Sequence, residues 1–106
     1  MTEARIVLCT TPNAETSQTL ACALVETKLA ACVNIIPGIR SIYFWEGRVC
    51  DDSEQLLMIK TTAERISDVF AEIRRLHPYK VPEGIVLEIR DGLEPYLSWL
   101  SETVKR

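Results

Sequence analysis

The chain is 106 residues long, 47% hydrophobic and 25% charged, with 4 Gly and 5 Pro, the make-up of a single folded domain spanning residues 1–106. Twelve Lys and Arg against fifteen Asp and Glu give a formal charge of −3, the wrong sign for capturing a phosphate backbone by counter-ion release, so nucleic acid is excluded as a partner. A membrane is excluded too, because the N-terminal apolar run from Ile6 to Leu8 is too brief for a signal peptide or a span, and a cytoplasmic location is expected. In that reducing compartment Cys9, Cys22, Cys32 and Cys50, with no Cys-x-x-Cys spacing, are expected as free thiols.

In chain order, Arg5 to Thr10 is β-branched and apolar and stops at Thr11-Pro12, which predicts a first strand. Asn13 then caps a helix from Ala14 to about Lys28, with Leu20 and Leu24, and Ala21 and Val25, as i,i+4 pairs. Cys22 in that helix and Cys32 after it read as core. Cys32 to Ile36 and Ile39 to Trp45 form one long strand with a bulge at Pro37-Gly38, because proline cannot donate to a ladder and glycine accepts unusual backbone angles. Glu46-Gly47 makes a hairpin turn, and the return strand runs from Arg48 to about Lys60. Thr61 with Glu64 fits a capping box, and Ile66, Val69, Phe70, Ile73 and Leu76 then form the cleanest helical stripe in the chain. That helix ends near His77-Pro78, Ile85 to Arg90 predicts a further strand, and a last helix from about Pro95 puts Leu93, Leu97, Leu100 and Val104 on one side.

The order β-α-β-β-α-β-α predicts an α+β, ferredoxin-like split β-α-β sandwich with an extra C-terminal helix, its first two helices on one face of an antiparallel sheet. The other face is left bare, yet Ile35-Ile36, Leu56 to Ile59 and Ile85 to Leu87 do not alternate with polar residues as a solvated face requires. A domain of this size buries only about two-thirds of its surface. An obligate oligomer is therefore expected to cover the remainder. In this topology Cys9, the Trp45 to Cys50 hairpin and His77 share one end of the sheet, with Cys32 and Lys60 at the other.

Punctuating these elements are Leu29-Ala30-Ala31-Cys32-Val33-Asn34-Ile35-Ile36-Pro37-Gly38, Ser41-Ile42-Tyr43-Phe44-Trp45-Glu46-Gly47, Lys60-Thr61-Thr62, His77-Pro78-Tyr79, Pro82-Glu83 and Tyr96-Leu97-Ser98-Trp99-Leu100. In these patches, which run in order along nearly the whole chain, the sequence resembles the CutA divalent-cation tolerance family. The resemblance implies a ferredoxin-like homotrimer, cytosolic in bacteria, associated with tolerance of copper and other divalent metals and similar in architecture to the PII signalling trimers. Some members of the family bind copper through a cysteine at the end of the first strand and adjacent histidines before a Pro-Tyr pair. Here one histidine, His77, stands in that place, preceded by Leu76.

Thiolate and imidazole are ligands that copper and zinc prefer, which makes Cys9 and His77 the candidate metal site, for a two-coordinate Cu(I) or for a divalent ion completed by water or a neighbouring subunit. The bland alternatives are a Cys9 that only packs and a His77 that caps its helix beside Arg74 and Arg75. Asp51, Asp52 and Glu54 read as a solvated edge, lacking the glycine and ligand spacing of a calcium loop. Tyr43, Trp45, Tyr79 and Trp99 read as core or subunit contact, and Lys60 as a residue that snorkels.

Three functions remain open. The first is a trimeric tolerance protein whose partners are a metal ion and further copies of itself. The second is a PII-like sensor with Lys60, the aromatics and Glu83 around a cleft between subunits. The third, an enzyme with Cys9 as nucleophile and His77 as base, lacks any local sign of an orienting group or an oxyanion hole, and no catalytic role is expected.

Overall fold

The computed structural model describes residues 2–106. Its elements are β1 (Ala4–Thr11), α1 (Ala14–Glu26), β2 (Cys32–Trp45), β3 (Arg48–Thr62), α2 (Ile66–Leu76), β4 (Ile85–Glu88) and α3 (Glu94–Val104). The strands form one sheet in the order β2-β3-β1-β4, and every neighbouring pair is antiparallel. This is the expected α+β, ferredoxin-like arrangement.

Local chemistry explains most of the boundaries. The Asn13 side chain accepts from the Thr16 backbone N–H at 2.8 Å and starts α1. Lys28, at φ 60, turns the chain out of the helix two residues after its end. The register of β2 against β3 slips between Ile36 and Ile39, where Gly38 has φ 71, as the Pro37-Gly38 bulge requires. Glu46 and Gly47, at φ 50 and 79, both lie in the left-handed region and reverse the chain in a tight hairpin.

The core lies between the sheet and the first two helices: Val7 and Cys9 of β1, Leu57 and Ile59 of β3, Leu20 and Leu24 of α1, and Val69 and Ile73 of α2. Each large aliphatic side chain buried here contributes roughly 1.5–3 kcal/mol. A smaller cluster joins Leu100 and Val104 of α3 to Ala4 and Ala31. Ala4 lies three positions from Val7, hence on the opposite face of β1, so α3 shields one end of the face that α1 and α2 leave open. The rest of that face is the partly apolar surface on which the oligomer expectation was based, with Ile36, Ile85 and Leu87 exposed.

Three expectations are corrected. Thr61 makes no cap. Its hydroxyl is buried and donates to Leu29 O at 2.6 Å, while β3 extends to Thr62 and a 3-10 turn over Ala63–Arg65 leads into α2. Cys22 is exposed and Cys32 half-buried, because α1 buries the Ser17, Leu20 and Leu24 stripe and turns Cys22 outward. Strand β4 stops at Glu88, with one further bond from Ile89 N–H to Ala4 O at 3.2 Å.

Candidate functional site

Cys9 is fully buried near the end of β1, and its Sγ donates to Thr10 O at 3.7 Å. His77 caps the C-terminus of α2, its backbone N–H closing on Ile73 O at 2.9 Å. The imidazole, 8% exposed, turns away from the helix carbonyls and meets the same Thr10 carbonyl through Nε2 at 2.7 Å. A carbonyl only accepts, so Nε2 carries the proton and Nδ1 is left to accept the Tyr79 backbone N–H at 3.1 Å. The fold thus brings Cys9 and His77 together at one acceptor, and the ring ties α2 to β1 with both nitrogens engaged.

Burial pushes the Cys9 thiol up to about 12, with the charges of Glu83 and Glu54 adding to the rise. It is therefore a protonated thiol at neutral pH, the reverse of an activated nucleophile. The two carboxylates that act on it belong to an adjoining cleft of about 710 Å³, walled by the β2–β3 hairpin from Ser41 to its turn at Glu46, with Glu54, on one side and residues 79–83 on the other.

Glu54 is the least expected member of this site. Predicted as part of a solvated edge, it is 8% exposed, and its Oε2 accepts from the Tyr79 hydroxyl at 2.5 Å. It lies just past the end of β1, whose last pair is Thr11 with Gln55, and residues 77–79 fold across that end to cover it. Burial, then the bond to Glu54, raise the Tyr79 phenol well above its ordinary range. Burial, then the charge of Glu54, raise the Glu83 carboxyl. Among the described residues neither Glu54 nor Glu83 has an ion-pair partner. Nothing local announces Glu54 in the sequence, since the residue that buries it, Tyr79, is remote along the chain.

The neighbouring acids behave as an edge. Asp51 pairs through both oxygens with Arg40, at 2.9 and 2.6 Å, and Asp52 accepts from the Tyr43 hydroxyl. Lys60 lies at the opposite end of the sheet, opposite Cys32, with Nζ 5.7 Å from the Tyr96 ring centroid. A single chain therefore does not gather Lys60 with Glu83 and the hairpin aromatics. Among the described residues no three His, Cys, Asp or Glu side chains are grouped so as to hold a metal ion, and no helix is long and apolar enough to cross a membrane.

The family model for the CutA1 divalent ion tolerance protein matches residues 5–103. This chain belongs to the CutA1 family. It is 50% identical over 97 residues to the divalent-cation tolerance protein CutA of Thermus thermophilus, covering 92% of this chain and 94% of that one. It is 46% identical over 100 residues to the chloroplastic protein CutA of Arabidopsis thaliana, covering 94% of this chain and 55% of that longer protein. Among solved structures, CutA1 from Oryza sativa superposes with a TM-score of 0.95 at 42% identity, covering 98% of this chain and 95% of that one. The Thermus thermophilus protein superposes at 0.92 with 48% identity, covering 94% and 97%. CutA1 is a family named for tolerance of divalent ions and for no catalytic activity.

Proposed function

We propose that this CutA1 protein works as a cytoplasmic homotrimer that binds copper or a related metal ion at the end of β1, with Cys9 and His77 as ligands. The observation that carries the reading is the convergence of the Cys9 thiol and the His77 imidazole on Thr10 O, beside a cleft whose acids have no cation partner among the described residues. Thiolate and imidazole suit copper, and the negative potential of Glu54 and Glu83 draws cations toward them. Ligation displaces the Cys9 proton and frees one His77 nitrogen from Thr10 O or from the Tyr79 N–H, so affinity rises with pH. Two ligands from one chain suit Cu(I); water or a neighbouring subunit completes the shell of a divalent ion.

Assembly is supported by the apolar surface one chain leaves open. Beyond the bare sheet face, the hairpin exposes Ile42 at 64%, Phe44 at 70% and Val49 at 69%, with Phe44 and Val49 paired across the strands, an exposed apolar surface of the kind that marks an interaction site. Native mass spectrometry with Cu(I) tests both parts. Three chains carrying copper that is lost in Cys9→Ser is the expected result. Copper retained in Cys9→Ser overturns the ligand assignment, and a folded monomer at high dilution overturns the trimer.

A second reading, a small-molecule sensor resembling the PII trimers, is favoured by one observation: the cleft has the volume of a small-ligand pocket and is walled by Tyr43, Trp45 and Tyr79.

A further inference from the structure

We propose that the cleft between the hairpin and residues 79–83 takes a small organic cation, its ammonium group held by Glu54 and Glu83 and its apolar body lying against Tyr43, Trp45 and Tyr79. This names the ligand class for the small-molecule reading and is independent of metal at Cys9 and His77.

Four observations meet here. Glu54 is more than nine-tenths buried, yet only Oε2 has a partner, the Tyr79 hydroxyl; among the described residues Oε1 has none, and the residue lines the cleft. Glu83, on the facing wall, has neither a hydrogen bond nor an ion pair among the described residues, and its carboxyl feels the charge of Glu54. Two carboxylates facing one partly dry space disfavour each other until a positive charge enters. Third, Lys80, the one Lys or Arg among the residues lining the cleft, does not supply it, since it forms no ion pair among the described residues.

The fourth observation, the nature of the walls, selects the kind of cation. A hard metal ion asks for six or more oxygen ligands and gains nothing from aromatic rings. An ammonium on a carbon frame gains on both counts, through charge-assisted hydrogen bonds to the carboxylates and through contact with ring faces and edges. The space of about 710 Å³ admits a molecule of several carbons, far more than a bare ion needs.

Calorimetric titration of the full-length protein, with a chelator present to remove metals, tests this using three probes of similar shape and different charge: 2-phenylethylammonium, 2-phenylethanol and 3-phenylpropionate. The expected result is saturable binding of the ammonium, weaker by about tenfold or more for the alcohol and absent for the anion. Glu83→Gln and Trp45→Leu are each expected to weaken the ammonium about tenfold, while Cys9→Ser leaves it unchanged; a circular dichroism spectrum like that of the parent protein confirms that each variant is folded. Equal or tighter binding of the alcohol or the anion overturns the ligand class and leaves the small-molecule cleft standing. No binding by any probe overturns both. Undiminished ammonium binding in folded Glu83→Gln, or loss of it in Cys9→Ser, places the ligand elsewhere and also overturns the proposal.

Discussion

The two ends of this sheet handle charge in opposite ways. At the α3 end the Arg65, Arg106 and Lys60 cations all find partners: Arg106 reaches Asp68 at 2.7 Å and Glu64 at 3.4 Å, Arg65 donates to Val104 O at 2.8 Å, and Lys60 lies over Tyr96. At the hairpin end Glu54 and Glu83 share a cleft with the neutral Tyr79 phenol, next to the buried, neutral Cys9 thiol, and form no ion pair among the described residues. The polar contacts of Arg65 and Arg106 tie the C-terminal end of α3 to the turn before α2 and to α2 itself. The unpaired acids have no such cation contacts, and burial together with the charge of Glu54 makes Glu83 costly to ionise, the feature on which the proposed ligand site rests.

The comparison is broken most directly by removing the apolar anchor of the closed end. Leu100→Ala, at a fully buried position in the α3 cluster, is expected to cost about 2–5 kcal/mol in urea unfolding. At the open end, Tyr79→Phe takes the one hydroxyl donor from Glu54 and is expected to cost about 1–3 kcal/mol in the same assay, less if water replaces the phenol. A loss as large as that at Leu100 would mean that the cleft is as much scaffold as α3.

Glu83→Gln has the opposite sign. Its folded carboxyl lies above the ordinary value of 4.5, so ionisation weakens the native state. That penalty is absent below the unfolded value, grows as pH rises through the folded one and is complete above it. Thermal melts should show the Gln variant higher by about 1–2 °C at neutral pH, small because the cleft opens to water, with the gain vanishing below about pH 4.5. A variant less stable than its parent at neutral pH would show that Glu83 has a stabilising partner. The smallest stability effect is expected from Arg106→Ala, whose exposed pairs are worth about 0–1 kcal/mol. Thiol chemistry sharpens the same contrast without a change in stability: iodoacetamide is expected to label exposed Cys22 in the native protein and to spare buried Cys9 until unfolding, read by peptide mass mapping.

Local rules carried much of the architecture. The α2 stripe from Ile66 to Leu76, the Asn13 cap, the Pro37-Gly38 bulge and the Glu46-Gly47 turn each depend on a few adjacent residues, and all four appear where their chemistry puts them. Failures came where two local rules tied. The pair Leu20 and Leu24 and the pair Ala21 and Val25 lie on adjoining faces of α1, and packing buries the first pair with Ser17 while leaving Val25 and Cys22 exposed. Thr61 satisfied a capping pattern, but the sheet claimed it and aimed its hydroxyl at Leu29 O. In the site, Cys9 and His77 were legible as chemistry and as one end of the topology, whereas the shared Thr10 carbonyl and the burial of Glu54 were not.

Element order, the family and the residue types able to bind a metal were therefore written in the sequence itself, because periodicity, turn chemistry and motif spacing act over short stretches of chain. Tertiary structure alone decided that both His77 nitrogens are occupied, that the Cys9 thiol is held protonated, and that a carboxylate expected in solvent lies under Tyr79. Desolvation and electrostatic coupling depend on which groups are neighbours in space. Residues 9, 54, 77 and 83 acquire their properties only when the sheet and the 77–83 segment bring them to one end of the fold.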